Sequence, residues 1–141
     1  PQPTATPTKT PTSTSCPVST YDHNVILCTT LGTRCTKTAG YIKVNGVNQY
    51  SWGTAETTTS GNLNINPGDS VELSMEAIQP PPVCVNNGIN YSDVSAVVKQ
   101  GGSGGTTIFS GAESSDGGGL LSYSFTATSC NYYFDLNSSC S

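Results

Sequence analysis

Beyond Cys16 the chain alternates. Apolar and polar residues exchange at every second position, and no stretch sustains the 3.6-residue spacing of an amphipathic helix. In "NPGDSVELSMEA", Val71, Leu73, Met75 and Ala77 face one way, while Glu72, Ser74 and Glu76 face the other. Pro67-Gly68, just before them, suits the two central positions of a type II turn. "YIKVNGVNQYSW" is the clearest hairpin, because Asn45-Gly46 accepts the positive φ angles of a type I′ turn. That turn sets Val44 opposite Val47 and Tyr41 opposite Tyr50. A third strand, "LSYSFTA", puts Leu121, Tyr123, Phe125 and Ala127 on one face. Weaker strands are expected near 23–28, 62–65, 93–98, 106–110 and 131–136. "AVVKQGGSGGTTIF" reads as two strands joined by a glycine loop, and "SGAESSDGGG" as another exposed loop. "QPPPV" belongs at an edge or in a connection, since proline has no N–H for a central ladder. Roughly eight short strands at this spacing predict an all-β, antiparallel two-sheet sandwich.

Six cysteines, at 16, 28, 35, 84, 130 and 140, decide the compartment. The number is even and no C-x-x-C pair occurs, so zinc knuckles and thioredoxin-like redox motifs have no support. With low charge and abundant Ser, Thr, Gly and Asn, the pattern predicts disulfides formed outside the cytoplasm. Six cysteines allow about 15 pairings. The local pair expected is Cys28 with Cys35, because "CTTLGTRC" carries Gly32 where the chain could turn back. Only five Lys and Arg are present in 141 residues, for a net charge of −4. Nucleic-acid binding and a polybasic membrane patch are therefore not expected. No apolar run approaches the roughly 20 residues of a membrane span. The start of the sequence has no export signal, which reads as a mature chain or a fragment.

No residue pattern in the sequence assembles a catalytic site. Ser103 in "GGSGG" fits the G-x-S-x-G spacing of a nucleophile elbow, but a β-like "TTIF" follows where a helix is needed. His23, the single histidine, stands beside Asp22 with nothing to hold a nucleophile against it, so a structural role is expected. Glu72 and Glu76 lie about 13 Å apart on a strand, too far for paired-carboxylate glycoside chemistry. Glu113 and Asp116 lack the ordered ligand spacing of a calcium loop. No enzyme, no cofactor and no metal are expected. The hairpin offers a binding surface instead. If Ile42, Val44 and Val47 point inward, then Tyr41, Lys43, Asn48, Tyr50 and Trp52 share the outer face, as a platform for sugars or another subunit. The alternative is that Trp52 belongs to the core.

Residues 1–15 differ from the rest. Every even position from Thr4 to Thr14 is threonine, and Pro3, Pro7 and Pro11 fall on odd positions. As a polyproline II rod the tract would reach roughly 45 Å, with threonines pointing to all sides. Thr4, Thr6, Thr8, Thr10, Thr12 and Thr14 then become O-glycosylation candidates, while Asn90 and Asn137 fit the N-linked sequon. As a β-strand the tract would lack proline donors on one edge only, so it could pair along the other with an acceptor sheet. The domains expected are an arm over 1–15 and a disulfide-bonded body over 16–141.

The arm resembles the Pro/Thr linkers of secreted bacterial surface proteins and of modular polysaccharide-degrading enzymes. Through "NPGDSVELSMEA" and its strand count, the body looks like an immunoglobulin-like bacterial extracellular domain. It lacks the Cys–Trp–Cys spacing of antibody domains. An extended arm ahead of such a body also resembles pilus subunits that exchange donor strands, although those arms are apolar. The resemblance implies a structural subunit of an extracellular or cell-surface filament, with other copies of itself and covalent glycans as partners. A carbohydrate-binding module on a glycosylated linker and a passive spacer domain are the competing readings.

Overall fold

The computed structural model describes residues 16–141, and they form an all-β, sandwich-like body. One sheet has five strands in the order β6(Thr59–Leu63), β1(Ser19–Val25), β11(Tyr132–Cys140), β8(Ser92–Gln100) and β9(Thr106–Ser114). The other has four, in the order β10(Leu120–Thr126), β7(Ser70–Ala77), β4(Thr38–Val44) and β5(Val47–Trp52). A small hairpin, β2(Thr29–Thr30) and β3(Thr33–Arg34), and a one-turn helix α1(Pro82–Val85) close one end.

The alternation seen in the sequence becomes the core. Val71, Leu73, Met75 and Ala77 are buried, and they meet Tyr132, Phe134 and Leu136 of β11 and Val94, Ala96 and Val98 of β8 in one cluster. Asn45 and Gly46 both take positive φ, and Val44 faces Val47 as the turn chemistry requires. Gly68 takes φ 93°, and the Asp69 N–H donates to the Asn66 carbonyl at 3.0 Å, completing the type II turn. The glycine loop joins β8 to β9. "SGAESSDGGG" is less of a loop than expected, because β9 runs on to Ser114 before a 3-10 turn over Ser115–Gly117.

One sheet pairing departs from the antiparallel rule. The first strand, β1, lies parallel to the last, β11, with Thr20 beside Tyr133 and Val25 beside Ser138. The chain therefore enters beside the start of β11 and reaches Ser141 beyond its far end. All six cysteines are paired, as Cys16–Cys130, Cys28–Cys140 and Cys35–Cys84.

This corrects the expected Cys28–Cys35 bridge. The turn does form, through Leu31 and Gly32, and the Cys35 N–H donates to the Cys28 carbonyl at 2.7 Å. Each thiol has a remote partner, however. Cys35 is fully buried against Cys84 of α1, while Cys28 reaches the end of β11. Opposed backbones bring two cysteines near each other, but the packing around each side chain chooses its partner.

Candidate functional site

The hairpin that sequence reading offered as a platform is reorganised by a β-bulge. Lys43 pairs with Asn48 and Ile42 pairs with Tyr50, leaving Gln49 as the extra residue. An inserted residue reverses the facing of everything after it. Tyr41 is accordingly opposite Ser51, not Tyr50, and Tyr50 and Trp52 turn inward beside Ile42. Trp52 is only 7% exposed. Tyr41 and Asn48 remain on the outer side, where the Lys43 ammonium sits 4.3 Å from the Tyr41 ring centre. The five platform residues are thus divided between two faces. Gln49 uses its freedom across the sandwich: its amide donates to the Asn64 carbonyl at 2.9 Å and accepts from the Asn64 N–H at 2.6 Å.

Inward-turned Tyr50 and Trp52 complete an aromatic cluster around His23. Tyr21 stacks on Tyr50 at 4.1 Å, and the His23 ring lies 4.4 Å from Trp52. His23 is fully buried, with Nδ1 at 2.7 Å from the Tyr50 hydroxyl and Nε2 at 2.8 Å from Ser138 Oγ. Ser138 Oγ lies 2.8 Å from Thr38 Oγ1, which accepts from Trp52 Nε1 at 3.1 Å. The indole can only donate, and one arrangement then sends protons the length of the chain. Trp52 donates to Thr38, Thr38 to Ser138 and Ser138 to Nε2, which leaves Nδ1–H to donate to Tyr50. That assignment uses the neutral histidine and the hydroxyl protons of Thr38 and Ser138, with the Tyr50 proton left outside the chain. Protonating Nε2 would reverse Ser138 and strand the Thr38 proton.

Burial lowers the His23 pKa from 6.5 to about 4, and burial followed by the charge of Glu56 and the presence of Tyr21 raises that of Tyr50. A Ser–His contact is present, but both groups are inaccessible and a tyrosine occupies the place of a catalytic acid, so the chemistry is cohesive. A stability prediction follows from the histidine. The unfolded chain binds its proton below about pH 6.5, whereas the folded chain resists until about pH 4. Stability falls as pH drops through that window, by about 3 kcal/mol in all, and is flat for this group below it. Denaturant midpoints between pH 7 and 4 should show this slope, and His23→Gln should remove it.

A second site lies on the outer face of the five-stranded sheet. Asp22 and Asp135 are direct neighbours across the parallel β1–β11 pair, and the Tyr133 hydroxyl donates to Asp22 at 2.6 Å. That hydrogen bond, then burial, then the charges of Asp22 and Asp135 push the Tyr133 pKa up to about 12. With Asn24, Thr58, Thr59 and Ser60 these residues line a groove of about 450 Å³. The sequence holds the signal, Asp22 and Asp135 on the outward phase of their strands, but their adjacency depends on pairing the first strand with the last. Such a surface offers hydrogen bonds and negative charge, with no nucleophile beside a base.

Of the remaining candidates, Glu113 and Asp116 come together, lining one groove with Asp93. Ser103 sits in the β8–β9 loop, where Lys99 Nζ donates to its carbonyl at 3.0 Å. Glu113 is on β9 and Asp116 in the 3-10 turn. Among the described residues no three His, Cys, Asp or Glu side chains converge as a metal site. Asn90 is exposed in a loop, and Asn137 lies on β11, its amide 3.4 Å from the Asp135 carboxylate. Thr4, Thr6, Thr8, Thr10, Thr12 and Thr14 lie outside the described residues. No helix among the described residues is long and apolar enough to cross a membrane. No known protein family, curated protein or solved structure matches the chain.

Proposed function

We propose that the protein is a structural, non-catalytic subunit of an extracellular filament or surface assembly. The observation that carries this reading is the placement of Cys16 and Ser141 at opposite ends of the parallel β1–β11 pair. Chain leaving one end can meet the far end of a neighbour, and a head-to-tail contact of this kind propagates unless its rotation closes a ring. Three disulfides fit folding in an oxidising compartment, and the sugar-platform alternative loses its stacking face with Trp52 and Tyr50 turned inward. Residues 1–15 supply the bridge, pairing with an edge strand of the next copy. Each sheet offers two such edges, β6 and β9 in one, β5 and β10 in the other.

The immunoglobulin-like character of the body has one local support. The Tyr132 oxygen accepts from the Thr128 and Ser129 N–H groups at 3.0 and 3.3 Å, a corner bond found in such sandwiches. The test is deletion of residues 1–15, followed by electron microscopy and light scattering. Filaments from the full chain and a folded monomer from the deleted one are expected. Unchanged filaments after deletion, or none from the full chain, would overturn the reading.

A further inference from the structure

β1 and β11 run side by side in the same direction over six register pairs, from Thr20–Tyr133 to Val25–Ser138. Cys16–Cys130 joins them just before their starts, and Cys28–Cys140 joins them at their far ends. The two strands are therefore rails of a covalently closed ladder. The chain enters at one end of this ladder, at Cys16, and reaches Ser141 at the other.

We propose that this ladder makes the domain an inextensible, tension-bearing link between its two ends. These mechanics are independent of the filament reading, whose contact is made at an edge strand and not at Ser141. Consider a pull applied between Cys16 and Ser141. The shortest covalent route crosses Cys16–Cys130 and follows β11, about 11 residues that are already extended. A second route follows β1 and crosses Cys28–Cys140, about 13 residues, most of them in the extended strand. Each route has only a few residues of slack outside its strand. The loop of sequence separation 114 between Cys16 and Cys130, which holds most of the sandwich, lies off the line of force. Either bridge alone keeps the link short, so the two are mechanically redundant. Ser141 is also fixed to the fold, its N–H donating to the Tyr91 carbonyl at 2.9 Å while its carbonyl accepts from Asn90 and Tyr91.

Single-molecule stretching of the full chain between handles at its two ends tests this, since residues 1–15 contribute equally to every variant. The oxidised protein should lengthen by less than about 20 Å on unfolding. So should Cys16→Ser/Cys130→Ser and Cys28→Ser/Cys140→Ser, each of which keeps one route. Removing both bridges sends the shortest route through Cys35–Cys84, about 76 residues, for a step of about 240 Å. Removing all three should give about 410 Å. Oxidised protein held under force in dithiothreitol provides a readout that needs no variant to fold. Its lengthening requires two cleavages, so dwell times should show a lag, and each single-bridge variant should lose that lag. A step of hundreds of ångströms in the oxidised protein or in either single-bridge variant, or dwell times without a lag, would overturn the proposal. Loss of filaments on arm deletion is a separate outcome and leaves these lengths unchanged.

Discussion

Reduction of the three disulfides is expected to unfold the protein at room temperature or bring it close to unfolding. The bridges span sequence separations of 114, 112 and 49. On the chain-entropy account a loop near 50 residues contributes about 4 kcal/mol and one above 100 nearly 5. The two long loops are not independent. Once Cys16 is tied to Cys130, closing Cys28 to Cys140 confines a ring of only about 24 residues, worth roughly 3 kcal/mol. The three together come to roughly 12 kcal/mol, which is comparable with the whole stability of an ordinary domain. Thermal unfolding followed by circular dichroism, with and without reductant, checks this. Cys35→Ser/Cys84→Ser alone should lower the melting temperature by more than 10 °C, since it also leaves two polar side chains in a fully buried site. A reduced protein that melts within a few degrees of the oxidised one would show that the core alone is sufficient.

What was legible in the sequence followed chain-local rules. The period-two pattern of Val71 to Ala77 and the turn chemistry of Asn45-Gly46 and Pro67-Gly68 depend on neighbours in sequence, and the structure uses them as read. What was not legible depends on distance. Nothing near "YIKVNGVNQYSW" announces that Gln49 is an extra residue. Its place is fixed by the Asn64 backbone it clamps across the sandwich, and that one residue moves Tyr50 and Trp52 from a surface to the core. The same holds for Cys28 and Cys35, whose partners are 112 and 49 residues away. His23 was expected to be structural, and its partners Tyr50, Ser138, Thr38 and Trp52 come from three separate strands. A buried polar network of this kind has no local signature, because each member reads singly as an ordinary strand residue.

Gly40 gives the second large effect, and its cause also lies across the sheet. It sits inside β4, opposite Trp52 on β5 and Met75 on β7. Glycine within a strand weakens it unless another group needs the space. Here the Trp52 ring lies against the bare Cα: a side chain at this position would place its Cβ 2.5 Å from the indole and 2.4 Å from the Ser74 carbonyl oxygen. The indole cannot simply swing aside, since its Nε1–H is held by Thr38 and its face by His23. Gly40→Ala should therefore cost about 3 kcal/mol or more, the upper range of overpacking, and Gly40→Val should prevent folding or reduce it to a minor population. Two obstacles of different kind allow a sharper test. Trp52→Phe removes the far ring but not the Ser74 backbone, so in that background Gly40→Ala should recover only part of its loss. Full recovery would assign the whole effect to the indole and leave the β7 backbone free to yield. An unchanged loss would place it in the Ser74 carbonyl, making the close approach of β4 and β7, rather than the aromatic contact, the reason for glycine here.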